Sequence, residues 1–538
     1  PKIKKNQPII ITSLLIASSL SCLGQGALDA LPMTTSQLKG TARYTAMGGA
    51  FGALGGDIST IRQNPAGLGI YRSSEITVTG GLNFYNNSTK TSSNTNKNSG
   101  FFFSGDNLGF VGTIRFRNSA LRTLNFGFAY NNVANFNNDY SANWTNIGSS
   151  LTQLIAQQTT AAGVLPNDMI GNSNYNPYSD SRIPWLSILG YNAFLTNSLG
   201  GASAMQYESI YSPLNNTTGN ASLHNITSGS IDEYDINVSG NISDMLYWGL
   251  TLGLTNIDYR IESIYGETLQ NALLFEEDAQ GNISRETVNA DYDLANTLRT
   301  NGYGFGVKLG VIFRPASFLR VGFAYHSPTY YRLSDTYWAG TDYNVGSHHG
   351  TTDNNYTDVG IFTYEYHSPW RIIGSVAAIL GKVGLLSVDY EYSNAKNMSY
   401  GGNNSLDYTV TNTNINSYMA GMSTVRVGGE VRILPMLSLR AGYAYEGAQL
   451  NNLILDHIIT PEIVEGTLTT YYLPHDAHNI SCGLGYRVNN ITLDLAYVHR
   501  IQEYDIYPFT PLGNDPTPLS GVMDMRYNSV KLTIGYKF

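Results

Sequence analysis

The chain has 538 residues, 42% apolar and only 13% charged, with 55 Gly, 39 Tyr, 2 Cys and a net charge of −9. Abundant aromatics with little charge exclude a disordered chain. Two cysteines exclude a disulfide scaffold or a Cys-rich zinc module, and an acidic balance without a basic stripe excludes nucleic-acid binding.

The first element is an apolar leader. Lys2, Lys4 and Lys5 precede the short apolar run Ile9, Ile10, Ile11, Leu14, Leu15, Ile16 and Leu20, and small and polar residues follow in Ser21-Cys22-Leu23-Gly24-Gln25. This layout predicts a secretory signal over 1–25, too short for a stable anchor. A lipoprotein signal acylated at Cys22 is the alternative, and Ser19-Leu20-Ser21 fits it poorly. With the leader removed, Cys482 is the one cysteine left, so no internal disulfide is expected. No other stretch is apolar enough for a membrane helix, and mean hydropathy is −0.17. A helical polytopic protein is therefore excluded, whereas alternating membrane strands, which average to near-neutral hydropathy, are not.

Residues 26–74 are not strand-like. From about residue 75 the chain alternates with period 2, the signal of a half-buried strand. Val530, Leu532, Ile534, Tyr536 and Phe538 share one face of the last strand, and Lys531, Thr533, Gly535 and Lys537 the other. The same pattern runs through Tyr303–Phe313, Val425–Ile433 and Ile491–Tyr497. About fourteen strands are expected on this reading, between 75–84 and 526–538. Short turns such as Ser243-Asp244-Met245, Leu434-Pro435-Met436 and Val488-Asn489-Asn490 alternate with long polar segments near 85–106, 135–231, 266–299, 336–361, 394–421, 448–477 and 503–525. Turns sorted by length, and strands with one apolar and one polar face, predict an all-β fold: a transmembrane antiparallel β-barrel over 75–538, with lipid outside and a polar lumen. Closure is obligatory, because an unpaired backbone group in hydrocarbon costs several kcal/mol. Tyr toward strand ends fits interfacial aromatic girdles.

The segment before the first strand carries Met47-Gly48-Gly49-Ala50-Phe51, Asp57 and Asn64-Pro65-Ala66-Gly67-Leu68. It resembles the N-terminal hatch of the FadL/TodX family of outer-membrane transporters of hydrophobic compounds. Val321–Pro328 and Ser368-Pro369-Trp370-Arg371 also look like strand segments of that family. The resemblance implies a fourteen-stranded barrel with a plug over 26–74. It also implies capture of a hydrophobic ligand, a fatty acid or an aromatic compound, on the outer loops. The ligand would then pass the hatch and leave sideways into outer-membrane lipid where one strand is kinked. Two departures are visible: the hatch's usual acidic pair is Gly56-Asp57, and the segment 135–231 is very long. These keep a second function open, a barrel subunit of a secretion or assembly complex whose loops bind protein partners.

Apolar residues within that long segment, Trp185, Leu186, Leu189, Phe194 and Leu195, are candidates for a ligand-binding groove. The alternative is that they pack on each other to cap the barrel. Arg320, Asp389, Glu391, Arg426, Glu430, Arg432, Arg440 and Asp494 fall on polar strand faces. Mixed signs suit an ion-pair network holding the hatch better than an ion-selective pore. No enzyme or cofactor is expected, since Gly-x-Ser-x-Gly, His-Glu-x-x-His and a phosphate loop are all missing. His475-Asp476-Ala477-His478 and His348-His349 could touch a metal, but loop histidines are common and no metal site is expected.

Overall fold

The computed structural model describes residues 25–538 apart from 118, 278–282, 354–359, 403–407, 462–467 and 513–517. The expected leader lies outside these residues, except for Gln25. Among the described residues no helix is long and apolar enough to cross a membrane.

The alternating segments form fourteen staves of one antiparallel sheet. They are β1 (Glu75–Thr91), β2 (Thr95–Arg115), β3 (Leu121–Asn135, followed by a short strand Asn138–Thr145), β4 (Thr218–Ile242) and β5 (Leu246–Glu277). Next come β6 (Ile283–Ala316), β7 (Leu319–His326 and Tyr330–Val345), β8 (Gly360–His367 and Arg371–Leu380), β9 (Gly384–Asn394) and β10 (Gly421–Leu434). The remainder are β11 (Leu437–Glu446), β12 (Tyr471–Val488), β13 (Ile491–Tyr507) and β14 (Gly521–Lys537). The barrel closes where β14 returns to β1, in an unbroken register from Glu75↔Lys537 to Thr91↔Gly521.

The two faces sort as their chemistry requires. On β14, Leu532, Ile534 and Tyr536 point outward and are exposed, while Lys531 and Thr533 are buried inside. Equivalent outward residues on β5 (Leu250, Leu252, Leu254), β6 (Leu309, Val311, Phe313) and β13 (Leu493, Leu495, Tyr497) complete an apolar belt. A closed barrel with such a belt spans a membrane as outer-membrane barrels do.

Three stretches expected as loops are strand. β1 and β2 meet in a turn at 92–94, β5 runs on to Glu277, and β6 begins at Ile283. β5 alone is 32 residues, about 100 Å of strand, where about ten tilted residues cross a bilayer. The outer halves therefore stand beyond the lipid. Polar residues interrupt the alternation there, although Leu269, Ala272 and Leu274 on β5 and Ala290, Tyr292 and Leu294 on β6 bury an apolar face beneath the long segment. The long segment is likewise shorter than 135–231, since strand resumes over Asn138–Thr145 and β4 starts at Thr218.

Candidate functional site

Residues 25–74 lie inside the barrel as three short helices and a 3₁₀ turn: α1 (Ala30–Thr34), α2 (Ala42–Ala46), α3 (Thr60–Gln63) and Pro65–Ile70. Asn64 explains the Asn-Pro-Ala-Gly-Leu motif. Its carboxamide oxygen caps the 3₁₀ turn by accepting from Ala66 N (3.1 Å), and its NH₂ donates to the carbonyls of Gly52 (2.6 Å) and of Val311 on β6 (3.3 Å). Pro65 supplies the fixed φ of a first helical position. Asp57 accepts from Thr41 Oγ1 (2.8 Å) and Ser59 N (2.9 Å) and so joins the two halves of the segment. Met47, Phe51 and Leu68 are fully buried.

The wall is flattened where the segment touches it. A Cβ on Gly249 would collide with the backbone of Pro65 and Ala66, and one on Gly442 with the backbone of Met47 and Gly48. Gly48 (φ 62°) and Gly49 (φ 74°) turn the chain in the left-handed region at that contact.

Above this plug the wall is interrupted. The β2–β3 ladder ends at Asn107↔Asn131, and among the described residues no strand pairing joins Thr95–Asp106 to β3 or its continuation; only the Asn98 side chain bridges them, to Asp139 Oδ1 (3.1 Å), Ser141 Oγ (3.2 Å) and Ser141 N (3.1 Å). At Phe136–Asn137 the third stave bends inward, and its continuation sits behind the β1–β2 hairpin. There Asn87 donates to Asn138 Oδ1 and to the Asp139 carbonyl (both 2.6 Å), and Thr91 donates to the Asn143 carbonyl (2.6 Å). The unpaired stretch of β2 carries outward Phe101 and Phe103, 66% and 78% exposed, so the break faces lipid. A lumen cavity lined by Phe136, Asn138, Tyr140, Met525 and Tyr527 reaches the inward bend.

A second interruption is sealed. β7 breaks at Ser327-Pro328-Thr329 and β8 at Ser368-Pro369-Trp370, side by side. Ser327 Oγ accepts from Val307 N (3.0 Å) and Ser368 Oγ from Thr329 N (2.9 Å), so backbone N–H groups beside the two breaks are paired with side-chain acceptors.

Over 94% of its length the chain superposes on 99% of a Pseudomonas aeruginosa FadL homologue, at TM-score 0.52 and 11% identity. The chain has the FadL fold. The Pseudomonas putida toluene transporter TodX is also similar, with 12% identity over 93% of this chain and 99% of that one, at TM-score 0.47. No protein-family model and no curated protein sequence matches.

Within this FadL fold the charges expected on lumen faces are brought together unevenly. Glu430 binds Arg440 (2.7 Å) and the plug's Arg43 (3.1 Å), and Arg440 also binds Asp494. Glu391 pairs with Arg426 (2.8 Å). Asp389 instead accepts from the plug, from Gly52 N (2.8 Å) and Gln63 Nε2 (2.9 Å). Arg320 donates to the plug carbonyl of Leu54. Arg432 is exposed near the short-turn end, apart from these groups. Sequence reading missed Asp106, held between Lys531 (2.7 Å) and the plug's Lys39 (3.3 Å), and Lys308 between Glu233 and Asp235. Lys531 lay in plain sight on the polar face of β14; its partner sits on β2, beyond any sequence spacing.

Two guanidiniums are incompletely satisfied. Buried Nη1 atoms of Arg62 and Arg426 have no hydrogen-bond partner among the described residues, and both side chains line the lumen cavities.

The loop candidates do not form an open groove. They belong to a cap built on α4 (Leu151–Ala162) and α5 (Trp185–Asn192). Leu186, Leu189 and Leu195 are buried against Leu151, Ile155 and the outer halves of β5 and β6. Trp185 lies between Tyr178 (5.1 Å) and Tyr337 (4.6 Å) and donates to the Tyr178 carbonyl. Phe194 stacks on His348 at 4.0 Å. Glu267, beyond the lipid belt, anchors α4 by accepting from Leu151 N (2.8 Å) and Tyr265 (2.6 Å). Burial pushes its carboxyl above the ordinary range despite these donors.

Proposed function

We propose that this barrel is a passive channel that takes an amphipathic hydrophobic molecule into its lumen and releases it sideways between β2 and β3. The reading rests on one observation: the β2–β3 ladder ends at Asn107↔Asn131, and the lumen cavity is lined by Asn135, Phe136, Asn137 and Asn138, where the third stave leaves the wall. A molecule leaving there passes from cavity to lipid without crossing the polar layer outside. No energy input is required, because apolar transfer into bilayer is favourable by about 0.8 kcal/mol per CH₂.

The cavity wall favours a ligand with an anionic head. Its unsatisfied Arg62 and Arg426 Nη1 nitrogens are charge-assisted donors awaiting an acceptor, and a carboxylate supplies one. Tyr140, Tyr527, Met523 and Met525 offer the apolar surface for a tail. This suits a fatty acid better than a bare aromatic hydrocarbon. The FadL homologue and TodX are similar in architecture, and TodX is described as a toluene transporter. A lumen cavity beside the bend that interrupts the β2–β3 ladder favours passage over a purely scaffolding barrel.

Deleting Phe136 and Asn137 removes the inward bend and lets β3 run on beside β2. The variant should still show the heat-dependent gel shift of a folded barrel, and uptake of a labelled long-chain fatty acid by cells should drop by about tenfold or more. Undiminished uptake by the folded variant would sink the lateral route. Equal uptake of fatty acid by an Arg62→Ala/Arg426→Ala variant would remove the head-group assignment alone.

A further inference from the structure

We propose that the outer rim of the barrel holds a site for one zinc-type divalent cation, formed by His475 on β12, Glu503 and Asp505 on β13, and His457 from the loop packed over them. Ligand atoms of His475, Glu503 and Asp505 all lie within 4.8 Å of one another. His475 Nε2 is 2.8 Å from Asp505 Oδ2, and His457 Nε2 is 3.7 Å from that same oxygen. Two ligands on one zinc are about 3.3 Å apart, from bonds of about 2.0–2.1 Å in a tetrahedron. Side-chain shifts of about 1 Å would therefore complete the sphere, and the exposed Glu503 has the freedom to make one.

Local backbone features supply this geometry. The β12–β13 register runs Pro474↔Tyr504 and then Ala477↔Gln502, so His475 and Asp476 form a bulge opposite Glu503. A bulge re-aims a side chain, and here it turns the His475 ring to Asp505. His457 follows the short helix α7 (Asn452–Leu455), the last among the described residues after α6 (Thr409–Tyr418), and has φ 57°. That position usually falls to Gly or Asn, and a branched ring costs about 1 kcal/mol there. Tyr507 hydroxyl pairs with His457 Nδ1 at 3.0 Å. This leaves Nε2 as the nitrogen directed at Asp505, the orientation that an outer partner gives a metal-binding imidazole.

Two imidazoles with two carboxylates select the metal class. Calcium and magnesium take oxygen ligands, whereas imidazole nitrogen suits zinc and its neighbours. Sequence reading grouped His475 with His478 and set both aside as common loop histidines. His478 in fact hydrogen-bonds Tyr443 (2.8 Å), and the partners of His475 come from positions 457, 503 and 505. A bound cation would tie the α7 loop to two staves. Gly447, Ala448 and Gln449 of that loop line the lumen cavity, so the tie would also fix the cavity wall.

Calorimetric titration of zinc chloride into the full chain, untagged, chelator-stripped and in detergent micelles, tests this. One zinc per chain is expected. His475→Ala and Asp505→Asn should weaken binding by about tenfold or more. His348→Ala should leave it unchanged, and calcium should not compete. Zinc should also slow amide exchange around 452–458 in the parent and not in His475→Ala. His457→Ala lies outside the strand ladder and serves if a strand variant fails to fold. Absence of binding to the parent, or undiminished binding in His457→Ala/His475→Ala, overturns the site.

Discussion

Asn64 concentrates much of the plug's specificity in one side chain. Its carboxamide satisfies a turn N–H, a plug carbonyl and a barrel carbonyl at once. Few residue types can do this, because both a donor and an acceptor are needed on one planar group. Asn64→Ala strands the Gly52 carbonyl and removes a second donor from the Val311 carbonyl, at about 1–3 kcal/mol for the buried group left unmade. Amides of residues 52–68 should then exchange about 10–100-fold faster, with barrel amides unaffected. Equal exchange in both proteins would show that the plug is held elsewhere, by Arg43–Glu430 and Lys39–Asp106. The motif itself was readable in the sequence. Its barrel partner was not, because Val311 is 247 positions away and contributes only backbone.

At the scale of elements, apolar loop residues divide between packing and ligand by what covers them. Trp185 is 8% exposed and sits between two tyrosines, so it reads as a packing residue of the cap. Trp185→Ala should destabilise the cap by about 3–5 kcal/mol, the usual loss for a buried aromatic. Limited proteolysis should then cut within 165–205, while the heat-dependent gel shift of the barrel stays as in the parent. Loss of both together would mean that cap and barrel fold as one unit. Strand interruptions divide in the same way. Prolines mark β7 and β8 in the sequence, yet serine hydroxyls seal that break. The open break in the third stave has no proline; the Asn/Asp cluster Asn135–Asp139 marks the end of the strand there but not the direction in which the chain bends.

For the whole molecule, the plug and the wall are matched surfaces. Glycines at 249 and 442 let backbone lie on backbone, and charges on the plug meet opposite charges on the wall. Deleting residues 26–70 should leave a closed barrel, since the β1–β14 ladder does not involve them. That barrel should pass ions in planar bilayers, whereas the intact chain should conduct far less; equal conductance would mean that the plug does not occlude the lumen. The sequence alone determined the class of this protein. Period-2 alternation, short turns at one end and the need to pair every backbone group in lipid leave a closed barrel of about fourteen strands as the consistent solution. It also marked the plug through Asn64-Pro65-Ala66-Gly67-Leu68. Tertiary structure alone decided where the wall opens, which charges meet and which apolar loop residues are covered. Those properties depend on residues far apart in the chain, such as Asp106 with Lys531 or His457 with Asp505. Periodicity reports which face a residue takes, but carries no information about which distant residue it will face.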